Sequence, residues 1–490
     1  TMLRIAAPLV GAQARSMAVK KTRGHYPAVE RALDVVLKAT TTSDEAVSQA
    51  TEREAIMDLA GSPQTHRLTE LFFLQERAKK LSVPNASAKV GIKSAAVIGA
   101  GVMGAAIAQW LSARGLHVIL RDVDAPRVAG GMAKIAKLYA EGVKRHTFSK
   151  LEARRGMDRV SPAPVQVPLK AVDLIIEAAV EKMDTKKAIF RQLDDFTHED
   201  CILATNTSAL SITELANATR HPGRIVGIHF FNPVHQMQLV EVIVGKDTAP
   251  EVAQTVLKFV QGIGKLPVLV KDSPGFLVNR ILLPYMIEAA HLYYTGSEIV
   301  DIDDAMLDYG MPMGPLRLTD EVGVDVAEDV ARTLITAFPD RLKMPEILPK
   351  MLEASLLGKK SGKGFYVHKG RDASPNNALT VLRPRGNPLP KAELQQRMVL
   401  LMVNEAARCL EERIVDSADD VDFAMVMGTG YAPFRGGPLA YADSVGVAKI
   451  AEDLSRLEKN AGAYFAPCAL ITELAQKNQK FHELRTDPSH

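Results

Sequence analysis

Cysteine is scarce in this chain of 490 residues: Cys201, Cys409 and Cys468 lie far apart, outside any CxxC or Cys/His ligand spacing. That argues against a disulfide framework and against a zinc site, and the expectation is a reducing, cytoplasmic setting. An excess of one charge is also missing. The 60 Lys and Arg nearly balance the 57 Asp and Glu, leaving +3. A dedicated nucleic-acid binder shows its basic excess in the total, so no nucleic-acid partner is expected. No apolar run approaches the roughly 20 residues of a membrane helix, so no transmembrane segment is expected either. The composition, 47% apolar and 24% charged, is that of globular protein rather than disorder. The length suggests about three domains.

Acid is absent from the first 29 residues, which hold several Arg and Lys. A mitochondrial presequence has this composition, but the preferred reading, for the reason given below, is an interior stretch of a larger protein. The closing Asp487-Pro488-Ser489-His490 spells no peroxisomal or retention signal.

Residues 30–38, 44–59 and 65–80 carry apolar positions at helical spacing without any catalytic constellation, so residues 1–88 read as a helical segment. The small and polar Ser82-Val83-Pro84-Asn85-Ala86-Ser87 resembles a linker. The period then changes. Short apolar runs at 95–98, 118–120, 173–178, 201–204, 224–231, 240–244 and 267–270 alternate with helical stretches, the signature of a parallel sheet covered on both faces. Residues 89–271 therefore read as a Rossmann-like, doubly wound α/β domain. Beyond Pro274 the strands are expected to stop. There the chain repeats itself: the eleven residues from Arg280 align with the eleven from Arg397, Gly314-Pro315 with Gly437-Pro438, Asp320 with Asp443, and Val322-Gly323-Val324 with Val445-Gly446-Val447. Two related all-helical domains, 272–371 and 391–485, are expected, joined by a Pro-, Asn- and Gly-rich stretch at 372–390. The fold class is thus α/β plus all-α.

Gly99-Ala100-Gly101-Val102-Met103-Gly104 is a G-x-G-x-x-G with an apolar strand before it and a helical pattern after it. Asp122 ends the next strand, 18 residues past Gly104. Gly99 permits the tight turn, Gly101 lets amides approach a pyrophosphate, and Gly104 allows close helix–strand packing. The helix N-terminus faces negative charge. A carboxylate at Asp122 binds a ribose 2′-hydroxyl and repels a 2′-phosphate, favouring NAD over NADP. Lys134, Lys137, Lys144 and Arg145 follow as a basic stretch, either a contact for substrate phosphates or a solvated helix face.

Chemistry must come from the site. Glu181 with Lys186, Asn206-Thr207-Ser208, His229-Phe230-Phe231-Asn232-Pro233 and Glu241 all lie near expected strand ends or helix starts. The strand before His229 delivers it to the sheet's carboxyl edge, where ligands bind in such folds. A His there suits a general base for an alcohol, and Glu241 in the next strand suits an orienting carboxylate. A structural His is the competing reading.

Segments 99–104, 175–187, 204–211, 227–242 and 271–284 resemble the L-3-hydroxyacyl-CoA dehydrogenase family in order and spacing. With both helical repeats included, the resemblance is fullest to the multifunctional α-subunits of bacterial fatty-acid oxidation complexes and covers nearly the whole chain. It implies oxidation of an (S)-3-hydroxyacyl-CoA to a 3-oxoacyl-CoA with NAD in β-oxidation. His229 is then the base, Glu241 its partner, and Ser208 and Asn279 the holders of the substrate's reacting oxygen and thioester. Gly99, Gly101, Met103, Gly104, Asp122, Ala179, Val180, Glu181, Lys186, Ser208 and Asn232 are implied to line the NAD site, with Lys360 reaching the cofactor side. Neutral imidazole is the form required, so activity is expected to rise with pH.

In those α-subunits an enoyl-CoA hydratase domain precedes the dehydrogenase. Residues 1–80 resemble only its tail and connecting helix, so no hydratase activity is expected, and the acid-poor start reads as an interior stretch. The partners implied are an acyl-CoA substrate and a thiolase subunit, and a second helical repeat filling the family's dimer contact implies a monomer or a dimer. Two alternatives stay open: a dehydrogenase of a free 3-hydroxy acid, and a non-catalytic scaffold of a β-oxidation complex.

Overall fold

The computed structural model describes residues 2–88, 91–370 and 372–484. The expected domain limits at 89, 371 and 485, and the C-terminal tetrapeptide, lie outside the described residues. The chain opens with four helices, α1 (Met2–Thr22), α2 (Pro27–Thr41), α3 (Glu45–Ala60) and α4 (Pro63–Ala78). Asp44 and Ser62 cap α3 and α4 with side-chain oxygens, satisfying N–H groups that a helix start leaves unpaired. α4 docks on the second helical repeat, where Arg77 pairs with Asp419 and Asp420 at 3.3 and 2.5 Å.

An eight-stranded sheet follows: β1 (Ser94–Ile98), β2 (His117–Arg121), β3 (Val160–Ala163), β4 (Leu174–Glu177), β5 (Ile202–Thr205), β6 (Ile225–Phe230), β7 (Leu239–Val244) and β8 (Leu266–Lys271). The order is β3-β2-β1-β4-β5-β6-β7-β8. Helices α5 (Val102–Ala113), α6 (Ala125–Lys144), α7 (Lys150–Asp158), α8 (Met183–Phe196), α9 (Ile212–Ala216) and α10 (Pro250–Gly262) alternate with the strands. Every residue of β4, β5 and β6 is buried, as sheet covered on both faces requires. The chain moves outward from β1 in one direction and returns through β4 in the other. This makes a topological switch between the loops after β1 and β4, the place where such sheets bind ligands.

The expectation of a parallel sheet holds from β3 to β6 and is corrected at β7, which runs antiparallel to β6, with β8 parallel to β7. The short 231–238 connection holds no helix, and a parallel return needs a crossover on the order of a dozen residues.

Beyond β8 lie α11 (Val278–Tyr294), α12 (Ile299–Tyr309), α13 (Pro315–Val322), α14 (Val324–Ala337) and α15 (Ile347–Glu353). After them come α16 (Lys391–Glu411), α17 (Ala418–Thr429), α18 (Pro438–Val445), α19 (Val447–Ala461) and α20 (Ala469–Lys477). Strands do not stop at Pro274: β9 (Tyr366–Lys369) and β10 (Asp372–Pro375) form an antiparallel hairpin, and residues 377–382 make a short 3-10 helix. The stretch expected to be linker is therefore partly ordered structure.

The repeat is physical as well as textual. Asp303 accepts Leu316 N and Arg317 N at the start of α13 (2.9 and 3.1 Å), and Asp422 accepts Leu439 N and Ala440 N at the start of α18 (both 2.8 Å). α11 packs against α16, and the aligned residues exchange partners across that contact. Arg280 Nε binds Glu405 Oε1 at 2.7 Å, while Arg397 Nε binds Glu288 Oε1 at 2.7 Å. Such reciprocity is the mark of an isologous, two-fold contact, here made inside one chain.

Candidate active site

The antiparallel register of β6 and β7 sets His229 directly opposite Glu241. Both are buried, His229 at 5% exposure and Glu241 at 0%. His229 Nδ1 lies 2.7 Å from Glu241 Oε2. A carboxylate only accepts, so Nδ1 carries the proton and Nε2 keeps its lone pair. Glu241 Oε1 accepts the amides of Leu277 and Val278 at 3.1 and 2.9 Å, where α11 begins. Those donors and the helix start hold the carboxylate in place. Phe231 and Phe276 lie against the imidazole, with ring centroids 4.5 and 5.9 Å away.

A second chain of contacts holds the loop after β5. Glu177 at the end of β4 is fully buried, and both its oxygens lie 2.8 Å from the ammonium of Lys186. Lys186 also pairs with Glu181 at 3.4 Å. Glu181 in turn accepts Ser208 N at 2.7 Å and the Thr207 hydroxyl. Asn279 Nδ2 donates to Ser208 O at 3.0 Å, and Asn206 Oδ1 accepts Phe230 N at 2.9 Å. Ser208, Asn279, His229 and Glu241 are therefore linked through β5, β6, β7 and the start of α11. Asp272, not singled out from sequence, accepts the Ser211 hydroxyl and the amides of Ile212 and Thr213 at 2.6, 3.0 and 2.8 Å. It fastens the β5–α9 loop to the segment entering α11.

The glycine turn fits a dinucleotide. Gly99 has φ +109°, and a Cβ there meets Ala178 O at 2.5 Å, so the turn abuts the β4 loop that carries Ala179 and Val180. A Cβ on Gly104 falls 1.8 Å from Gly99 O, whereas the space beside Gly101 is open. Helix α5 can thus close on the turn while the turn's outer side stays clear. Asp122 Oδ2 accepts Ala100 N at 2.7 Å, and Lys134 Nζ donates to Ala100 O at 3.3 Å, setting a carboxylate and one lysine of the basic stretch beside the turn. Met103 packs partly buried on the sheet core. Asn232 stands just beyond β6, at the start of the turn into β7. Lys360 is not joined to this group: its ammonium pairs with Asp325 on α14 in the first helical domain. Among the described residues no cluster of His, Cys, Asp and Glu is arranged to hold a metal ion. No helix among them is long and apolar enough to cross a membrane.

Comparison with known proteins identifies the domains. The family model for the 3-hydroxyacyl-CoA dehydrogenase NAD binding domain matches residues 94–273. That for the 3-hydroxyacyl-CoA dehydrogenase C-terminal domain matches twice, at 275–368 and 394–483, which accounts for the repeat. The fatty acid oxidation complex subunit alpha of Acinetobacter baumannii (strain SDF) is 37% identical over 477 residues, 94% of this chain and 66% of that protein. The chain thus spans a little under two thirds of that relative's length. The crystal structure of 3-hydroxybutyryl-CoA dehydrogenase from Escherichia coli K12 is 30% identical with a TM-score of 0.69, covering 79% of this chain and 99% of that one. The dehydrogenase part of multifunctional enzyme 1 from C. elegans is 25% identical with a TM-score of 0.59, covering 83% and 96%. On its fold, its NAD-binding domain and its duplicated C-terminal domain, the chain belongs to the 3-hydroxyacyl-CoA dehydrogenase family.

Proposed function

We propose that this chain oxidises (S)-3-hydroxyacyl-CoA to 3-oxoacyl-CoA with NAD, with His229 as general base. The observation that carries this reading is the 2.7 Å hydrogen bond from His229 Nδ1 to buried Glu241, which leaves Nε2 as the basic nitrogen. Gly99, Gly101, Gly104, Asp122, Ala179, Val180 and Glu181 would hold the cofactor, and bound NAD supplies a two-electron acceptor. Nε2 of His229 takes the substrate's hydroxyl proton as the C3 carbinol becomes a carbonyl, and the Glu241 carboxylate stabilises the imidazolium that forms. Ser208 and Asn279 position the reacting oxygen and the thioester. Lys186 acts one step back, holding Glu181 beside Ser208, while Lys360 and Asn232 on the cofactor side rest on the family resemblance.

The described residues ahead of β1 form four helices, and hydratase chemistry is left out of the proposed reaction. Burial of all three cysteines as free thiols suits a cytoplasmic setting. The reciprocal Arg280–Glu405 and Arg397–Glu288 pairs support a monomer, because α16 takes the place of a partner's helix. Sedimentation showing a dimer through α11 would overturn that. The activity itself is tested by NADH formation from 3-hydroxybutyryl-CoA and from a long-chain 3-hydroxyacyl-CoA. Turnover that is lost in His229→Ala is expected. NAD binding without turnover of either substrate would leave a scaffold instead.

A further inference from the structure

Lys265, the residue before β8, is only 2% exposed, and lysine is almost never so buried without partners. Its ammonium donates to the carbonyl oxygens of Val234 and Met237 and lies 3.7 Å from the centroid of the Trp110 ring. Two carbonyls and an aromatic face form a cage for a cation. Both carbonyls belong to the turn joining β6 to β7, where Gln236 N and Met237 N also donate to Pro233 O at 2.9 and 3.0 Å. The turn starts two residues past Phe231, the residue whose ring lies 4.5 Å from that of His229. Trp110 sits on α5, the helix that starts at the glycine turn, and its Nε1 donates to Ile263 O at 3.2 Å, just ahead of Lys265. One side chain therefore ties the connection leaving the catalytic strand to the cofactor helix.

We propose that Lys265 is a positioning residue for the dehydrogenase reaction: it clamps the 233–237 turn against α5 and thereby sets how tightly the dinucleotide is held beside His229. This rests on the dehydrogenase reading above. Burial, and secondarily Arg114 nearby, lower the Lys265 ammonium to about 7. The clamp is charged below that pH and neutral above it, and a neutral amine grips carbonyls less strongly than an ammonium. NAD affinity is therefore expected to fall as pH rises through about 7. The other charged groups facing this spot are Arg114 just past α5, His235 in the turn, Glu141 on α6 and Arg145 just past it, the last two beside His235. Burial lowers the His235 imidazole.

Trp110 is the only tryptophan of the chain, so intrinsic emission reports on the cage directly. Emission and NAD dissociation constants are measured against pH for the full chain, for Lys265→Met and for His235→Gln. The wild type and His235→Gln are expected to show an emission transition near pH 7, and Lys265→Met none. The NAD dissociation constant of the wild type should rise about tenfold across the transition, and that of Lys265→Met should be high and flat, with kcat at saturating NAD changed less than about threefold. Flat emission in the wild type, or a Lys265→Met protein that binds NAD with the wild-type pH response, overturns the proposal. If Lys265→Met does not fold, the wild-type and His235→Gln titrations decide alone. Both readouts are independent of turnover, so failure here leaves the dehydrogenase reading intact, while NAD binding without oxidation of 3-hydroxyacyl-CoA overturns that reading.

Discussion

Glu241 faces His229 directly across the β6–β7 ladder, and its Oε2 receives the Nδ1 proton at 2.7 Å. Its other oxygen is committed to the amides of Leu277 and Val278. In Glu241→Gln the carboxamide oxygen must stay on those amides, so the NH2 group points at the imidazole. Nδ1 then becomes the acceptor and the ring proton moves to Nε2, removing the base. We expect kcat to fall by roughly two to four orders of magnitude with folding retained. Steady-state kinetics with 3-hydroxybutyryl-CoA and a near-ultraviolet CD spectrum check this; kcat within about tenfold of wild type would mean that Glu241 does not set the tautomer.

Gly104→Ala tests the cofactor turn. The added Cβ falls 1.8 Å from backbone, at Gly99 O, and backbone cannot rotate aside, so α5 has to move away from the turn. NAD affinity should drop at least about tenfold, since both the amides and the helix terminus leave their places. Equilibrium NADH binding by fluorescence measures it, and wild-type affinity would show that the turn is not the pyrophosphate site.

Arg280 is 1% exposed and lies between Glu405 and Glu412, each 2.7 Å away. Replacing it by Met leaves two acids facing a buried gap, partly relieved by Arg341, which pairs with the same two residues at 3.4 and 2.7 Å. The expected loss is about 3 kcal/mol in urea unfolding. Adding Glu405→Gln should recover part of it, as a double-mutant cycle would reveal.

His482 Nδ1 lies 2.7 Å from Asp443, and its Nε2 lies 3.2 Å from Asp422 and 3.6 Å from Asp419. Burial alone lowers this imidazole, but the hydrogen bonds to Asp422 and Asp443 outweigh it and carry the ring up to about 10. Burial raises Asp422 while the imidazolium beside it works the other way. The folded state binds the proton more tightly, so the stabilisation is complete below the ordinary histidine range and fades as pH rises through about 10. His482→Gln should be about 2–3 kcal/mol less stable than wild type near pH 6 and converge with it at high pH. Unfolding curves at several pH values test the trend; a difference that does not shrink with pH would remove the charge from the account.

Much of this architecture was legible because apolar runs and glycine spacing report burial directly. The strands at β1, β2, β4, β5, β6, β7 and β8 and the His229–Glu241 pair were all expected. β3 was not, because Val160-Ser161-Pro162-Ala163 is short, half exposed and an edge strand, where Pro is tolerated. The reversal at β7 is not legible in sequence, because an apolar run reads the same in either direction. Sequence alone pairs Lys186 with Glu181; only the fold shows that Lys186 reaches back nine residues to Glu177. The Arg280 and Arg397 alignment was visible, but the exchange of partners depends on how α11 crosses α16, which periodicity does not encode.

The fused repeat has a consequence for variation. In a two-fold dimer of identical chains, any change at the contact is made twice, once on each side. Here α11 and α16 are encoded separately and drift independently. At the start of α11, Asn279 keeps an amide on Ser208 O; its counterpart in register on α16, Gln396, has turned to Arg456. It lines a cavity of about 430 Å³ with Tyr309 and Tyr441, both in the helical repeats. The second repeat thus keeps the packing of the contact, while its residue in register with Asn279 makes a different contact.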